Sequence, residues 1–75
     1  MKSPIGKYYK TMYAHYYCYG RDKENLYTCI RIEEDAIERR YYADFGGLPE
    51  STREEFMAAY ARTIKAINSI VEGGK

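Results

Sequence analysis

The chain has 75 residues, a formal net charge of +1, and 45% hydrophobic and 31% charged residues. A chain this short buries only about 60% of the surface it would expose unfolded, so a second domain, a deep substrate cleft and a large cofactor fold are excluded, and the composition excludes wholesale disorder. No apolar run nears the roughly 18 residues that span a bilayer, and the basic start Met1-Lys2-Ser3-Pro4-Ile5-Gly6-Lys7 runs into Tyr8 and Tyr9 rather than a signal-peptide core. The expectation is one small, soluble, cytoplasmic domain over residues 1–75.

Residues 1–32 are rich in tyrosine and basic. The chain has ten Tyr, two Phe and no Trp, and Tyr8, Tyr9, Tyr13, Tyr16, Tyr17 and Tyr19 all fall in this stretch. Residues 1–31 carry six Lys and Arg against two acids, whereas residues 32–75 carry six against nine. Met12, Ala14, Tyr16 and Cys18 alternate with Tyr13, His15, Tyr17 and Tyr19. Leu26-Tyr27-Thr28-Cys29-Ile30-Arg31-Ile32 also alternates, and is rich in β-branched and aromatic residues. Gly20-Arg21-Asp22-Lys23-Glu24-Asn25 between them suits a hairpin loop. A β-hairpin is predicted, with Leu26, Thr28, Ile30 and Ile32 facing the helices and Tyr27, Cys29 and Arg31 facing out beside Tyr13, His15, Tyr17 and Tyr19. The rival is an N-terminal helix capped by Ser3, begun by Pro4 and stopped by Gly20. With a second helix over residues 23–45, that rival is a three-helix bundle.

Residues 33–45 read as a short helix. Glu33-Glu34-Asp35 leads and Arg39-Arg40 trails, the order a helix dipole prefers, and Asp35 and Arg39 stand at i and i+4. The competing pattern is a third strand, because Ile37, Arg39, Tyr41, Ala43 and Phe45 alternate with Glu38, Arg40, Tyr42 and Asp44. The hairpin then becomes a three-stranded meander. Gly46-Gly47-Leu48-Pro49-Glu50 breaks the chain. Over residues 51–72, Ser51 and Thr52 offer N-caps, Glu54 and Glu55 follow at capping-box spacing, and Phe56, Tyr60, Ile64, Ile67 and Val71 form an apolar stripe widened by Met57, Ala61 and Ile70. This is a long amphipathic helix stopped by Gly73-Gly74. The predicted class is α+β, a Tyr-rich hairpin packed on one or two helices.

No catalytic or metal-binding signature is present. Cys18 and Cys29 are the only cysteines and form no C-x-x-C pair, so no metal site is expected. In one register Cys18 is buried and Cys29 exposed; a slip of one residue sets them opposite each other, where a disulfide fits. Without a secretion signal, two free thiols are expected. His15 is the only histidine and has no sequence-evident nucleophile or carboxylate partner. Glu33, Glu34 and Asp35 on successive helical positions cannot converge on one ion. No phosphate-cradling or nucleophile-elbow motif occurs. The expectation is a non-enzymatic protein with no cofactor.

Ten phenols exceed what so small a core can hide with their hydroxyls satisfied, and exposed Tyr favours contact surfaces. The expected partner-binding residues are Tyr13, His15, Tyr17, Tyr19, Arg21, Tyr27 and Arg31, forming one patch covered by a protein partner or a second copy in a homodimer. The expected function is a small regulator or inhibitor that blocks a larger complex by covering a site; phage-type antagonists of host defence are often of this size. The alternative is a nucleic-acid binder. It is either a repressor of the ribbon–helix–helix element order, reading bases with Tyr27, Cys29 and Arg31, or a single-strand binder stacking bases on Tyr8 and Tyr9 between Lys7 and Lys10.

Overall fold

A computed structural model describes residues 3–73. Four strands, β1 (Tyr8–Lys10), β2 (His15–Arg21), β3 (Tyr27–Ile32) and β4 (Ile37–Tyr42), precede one helix, α1 (Arg53–Gly73). The strands form an antiparallel sheet in the order β1-β2-β3-β4. The class is α+β. The expected hairpin is the β2–β3 pair, extended on both sides, and neither the N-terminal helix nor the three-helix bundle forms.

Each turn has a local chemical cause. The Thr11 hydroxyl accepts hydrogen bonds from the Tyr13 and Ala14 amides at 3.2 and 3.0 Å, closing β1 on β2. Asp22 Oδ1 accepts from the Glu24 and Leu26 amides, both at 2.9 Å, in the side-chain-stabilised turn Asp favours. Asn25 takes the left-handed conformation there, with φ of 64°. Between β3 and β4 the Glu33 amide donates to the Ala36 carbonyl at 2.9 Å.

The helix expected over residues 33–45 is overturned, and its core is β4. The acid-to-base order that imitates a helix dipole serves ion pairs along and across the β3–β4 hairpin instead, with Arg31–Glu38 the one that crosses between the strands. Arg31 meets Glu33 at 3.3 Å and Glu38 at 3.8 Å, and Arg40 meets Glu38 at 2.8 Å. β3 needs a partner on its free edge, because a lone two-stranded ribbon is marginal. The charges of Glu38, Arg39 and Arg40 then suit an outermost strand, where they discourage edge-to-edge aggregation.

The register divides the sheet into two faces. Tyr9, Tyr16, Arg31 and Glu38 form one row, with Cys18, Cys29 and Arg40, then Tyr27 and Tyr42, along the same face. After β4 the chain crosses this face as a strap, residues 43–50, and reaches the outer edge of β1. There Glu50 bridges to Tyr9, the Lys10 amide donates to the Pro49 carbonyl at 3.1 Å and the Ser51 amide donates to the Tyr8 carbonyl at 2.7 Å. Phe45 on the strap is buried at the centre of four phenol rings. Tyr9 stacks on it at 4.8 Å, while Tyr42, Tyr16 and Tyr27 lie at 5.7, 6.4 and 6.4 Å. Gly47 permits the strap's tight turn, with φ of 86°.

The opposite face carries Tyr8, Tyr17, Ile30 and Arg39 in one row and Lys10, His15, Ile32 and Ile37 in the next. Here α1 lies. Thr52 caps it by accepting from the Glu55 amide at 3.2 Å, and Ser51 Oγ donates to Glu55 Oε2 at 2.6 Å, so the expected helix start is borne out. Phe56 packs on Tyr8 and Tyr17 at 5.4 and 6.0 Å, and the Thr63 hydroxyl donates to the Glu33 carbonyl. At the far end, Gly73 is the helix's last residue; Gly74 lies outside the described residues.

The predicted apolar stripe is rotated. The buried helix residues are Phe56, Ala59 and Thr63, while Tyr60 is 39% and Val71 70% exposed. Small side chains at Ala59 and Thr63 let the helix backbone approach the sheet, and the bulky residues are left to the flank.

Candidate interaction surface

The seven residues expected to form one patch do not share a face. His15 and Tyr17 lie under α1, whereas Arg21, Tyr27 and Arg31 lie on the strap face. Two features produce this split. A bulge between Cys18 and Gly20 sets Tyr19 out of the ladder, changing the alternation beyond it. Both faces of the sheet are also covered, so no face of the hairpin is simply outward. Cys29 is completely buried rather than exposed, and sits opposite the equally buried Cys18. Arg21 stacks over the Tyr27 ring at 4.8 Å, and Arg31, ion-paired to Glu33 and Glu38, lies 5.9 Å over Tyr16.

The phenols sort themselves in the same way. Tyr9 and Tyr16 are buried, Tyr8, Tyr17, Tyr27 and Tyr42 are half-buried, and Tyr13, Tyr19, Tyr41 and Tyr60 are exposed. Burial raises the pKa of Tyr9 and Tyr42 above the ordinary phenol value, with the Glu50 carboxylate adding to the effect at Tyr9 and the Tyr16 phenol at Tyr42.

Two exposed apolar regions remain. The first is the tip of the β1–β2 turn, where Met12 and Tyr13 are 86% and 78% exposed. Behind it an open groove of about 450 Å³ runs between the turn and the helix, lined by Met12, Tyr13, His15, Glu33, Arg62 and Ala66 among others. Burial lowers the pKa of His15, and the Arg62 guanidinium lowers it further; its Nδ1 is buried without a hydrogen-bond partner. Arg62 makes no ion pair among the described residues. Across the helix start, Lys10 pairs with Glu55 at 2.9 Å, and the hydrogen bond from the Ser51 hydroxyl, followed by that from Lys10, holds the Glu55 carboxyl below its usual pKa.

The second region is the flank of α1. Met57, Tyr60, Ile64, Ile67 and Val71 recur in steps of three, four, three and four, the spacing of a helix-pairing seam. Beside the buried line through Phe56, Ala59 and Thr63, Ile64 and Ile67 of this seam are half-buried, and Met57, Tyr60 and Val71 are exposed. At its far end the helix leaves the sheet, and residues 68–73 are all exposed, with Ile70 at 57% and Val71 at 70%. A 21-residue helix is about 31 Å long, longer than a four-stranded sheet is wide. The overhang gives the molecule extents of 48 × 25 × 17 Å and a radius of gyration of 13.5 Å, against about 11 Å for a compact chain of this length. Sequence reasoning missed this flank by assigning its residues to the core. The available signal was the width of the apolar arc, which exceeds what one sheet face covers.

No group of three or more His, Cys, Asp or Glu among the described residues is arranged to hold a metal ion. None of the helices among the described residues is long and apolar enough to cross a membrane. The chain matches no protein-family model, and searches of curated proteins and of solved structures find no match.

Proposed function

We propose that the chain is a non-enzymatic protein-binding regulator of the cytoplasm, working as a homodimer and blocking a larger complex by covering a site on it. The observation that carries this reading is the α1 flank, an apolar seam with heptad spacing. A seam of that spacing fits a second helix of the same kind. With a net charge of +1, electrostatic self-repulsion does not oppose pairing of two copies. The target is contacted by the Met12–Tyr13 tip and the groove behind it. Methionine adapts its shape there, and tyrosine supplies a rigid amphipathic anchor.

A nucleic-acid function has less support. The basic residues of the front third are largely engaged, with Lys7 on Glu50, Lys10 on Glu55 and Arg31 on Glu33 and Glu38. The strand-then-two-helices order of the repressor alternative is absent among the described residues, which fold as four strands and one helix. The deciding experiment compares wild type with Tyr13→Ala and Met12→Ala in capture of partners from a host lysate, with circular dichroism to establish the fold. A bound protein lost from both variants supports the reading. Truncating an anchoring aromatic typically costs about 2 kcal/mol or more of binding. A salt-sensitive shift of labelled duplex or single-stranded DNA, unchanged in these variants, would overturn it in favour of nucleic acid.

A further inference from the structure

We infer that Cys18 and Cys29 form an oxidation site, able to close into a cross-strand disulfide between β2 and β3. The two residues are direct partners in the antiparallel ladder, on the same face of the sheet, and both are fully buried. The backbone identifies which kind of pair they are. The Cys18 amide donates to the Lys7 carbonyl at 3.1 Å and the Cys18 carbonyl accepts from the Gly6 amide at 2.7 Å. Both polar groups of Cys18 therefore point toward β1 and away from Cys29. The pair across β2–β3 is thus a non-hydrogen-bonded one, in which Cα atoms approach to about 4.5 Å and side chains lie closest. That is within the Cα separation a disulfide spans, at its short end. Both cysteines are free thiols in this structure.

The chemistry requires an oxidant of the low-molecular-weight disulfide class, such as oxidised glutathione. One cysteine thiolate attacks a sulfur of that disulfide and expels a glutathione thiolate. The second cysteine then attacks the mixed disulfide at the protein sulfur and expels the other. Two thiols lose two protons and two electrons, and one glutathione disulfide becomes two glutathione thiols. Burial controls the rate. It pushes the Cys29 thiol up to about 11, helped by the adjacent Cys18, and raises Cys18 as well, so the thiolates are scarce while the sheet is closed. Oxidation proceeds through local opening of β2 from β3 and then becomes self-protecting. A buried site beside the Phe45 cluster has no room for a persistent glutathione adduct, whereas the intramolecular bridge fits the existing register.

The test incubates the folded protein in glutathione redox buffer, with mild urea to raise the frequency of opening, followed by acid quench and intact mass. The expected product is a monomer lighter by two hydrogens, with Cys18 linked to Cys29 in its peptide map. Its thermal midpoint should stand roughly 10 °C above that of the reduced chain, and the difference should vanish in Cys18→Ala and Cys29→Ala. Recovery of both thiols in alkylatable form after equilibration, or of stable glutathione adducts or intermolecular dimers instead of the bridge, would overturn the inference. The wild-type mass decides the matter even where an alanine variant fails to fold.

Discussion

The two faces of the sheet are closed by different means. The strap face is sealed by rings and thiols: Phe45 sits among Tyr9, Tyr16, Tyr27 and Tyr42, and Cys18 and Cys29 lie beneath without exposure. The helix face is covered by α1 on a narrow line of Phe56, Ala59 and Thr63, with charged and titratable groups at its margin and an apolar flank to spare. In a chain of 75 residues one aromatic cluster is enough to finish one face, and the second face then carries surface that folding alone does not consume. The first face is sealed by its own side chains, and the second is the one that the proposed function uses for binding.

The sharpest break in that comparison is Phe45→Ala. Removing the ring that four tyrosines surround should cost about 3–5 kcal/mol, a large part of the total for so small a domain, read as the shift of the urea midpoint. If the loss is under about 1 kcal/mol, the strap is not what closes its face.

The two faces should also fail at opposite ends of the pH scale. On the strap face, Cys29 is raised from an ordinary value of 9.0 to about 11, and Cys18, Tyr9 and Tyr42 are raised too. A group raised in the folded state contributes stability that is complete below its unfolded pKa and is lost as pH rises through the folded one. Stability should therefore fall between about pH 9 and 11, with Cys29 alone accounting for on the order of 2 kcal/mol, and Cys29→Ala should flatten that limb. On the helix face, His15 and Glu55 are lowered. Their contribution is complete above the unfolded pKa values and lost as pH falls through the folded ones, so acid should weaken that face from about pH 6.5 downward. His15→Gln should remove the upper part of the acid limb and leave the alkaline limb unchanged; urea melts across pH read both.

Thr63→Val is a smaller break. It keeps the shape of the helix contact but leaves the Glu33 carbonyl without its donor, at a cost of about 1–2 kcal/mol. A fully neutral result would mean that this contact does not hold α1 to the β3–β4 turn. Smallest of all, Val71→Lys on the overhang should change the stability of the monomer by no more than about 0.5 kcal/mol, because that side chain is 70% exposed among the described residues. Its effect should appear only in association.

Much of this architecture was legible in the sequence, and its gaps have physical causes. The start of α1 was readable because Ser51, Thr52 and Glu55 carry capping chemistry, and its length because the apolar period is unbroken. The β2–β3 hairpin was readable from alternation and from Asp22 and Asn25 in its turn. β4 was legible only as the competing alternation from Ile37 to Phe45, because the acid-to-base order from Glu33 to Arg40 satisfies a helix dipole as well as the ion pairs of a strand hairpin. β1 was hidden by its length of only three residues, too few to show a period. The facing of the binding residues was lost for a different reason. Alternation tells which residues share a face but not which face is covered, and a bulge at Tyr19 changes the count halfway along the strand. The α1 flank was named residue by residue, yet assigned to the interior, because periodicity measures a stripe's regularity and not how much of it a small sheet covers.

Sedimentation equilibrium over a concentration series, on wild type and on a Met57→Lys, Val71→Lys double variant, tests the central claim most directly. A reversible dimer in the wild type and a folded monomer in the variant is the predicted result. A wild type that stays monomeric at every concentration, or a dimer the two lysines leave intact, would contradict pairing through the uncovered side of α1.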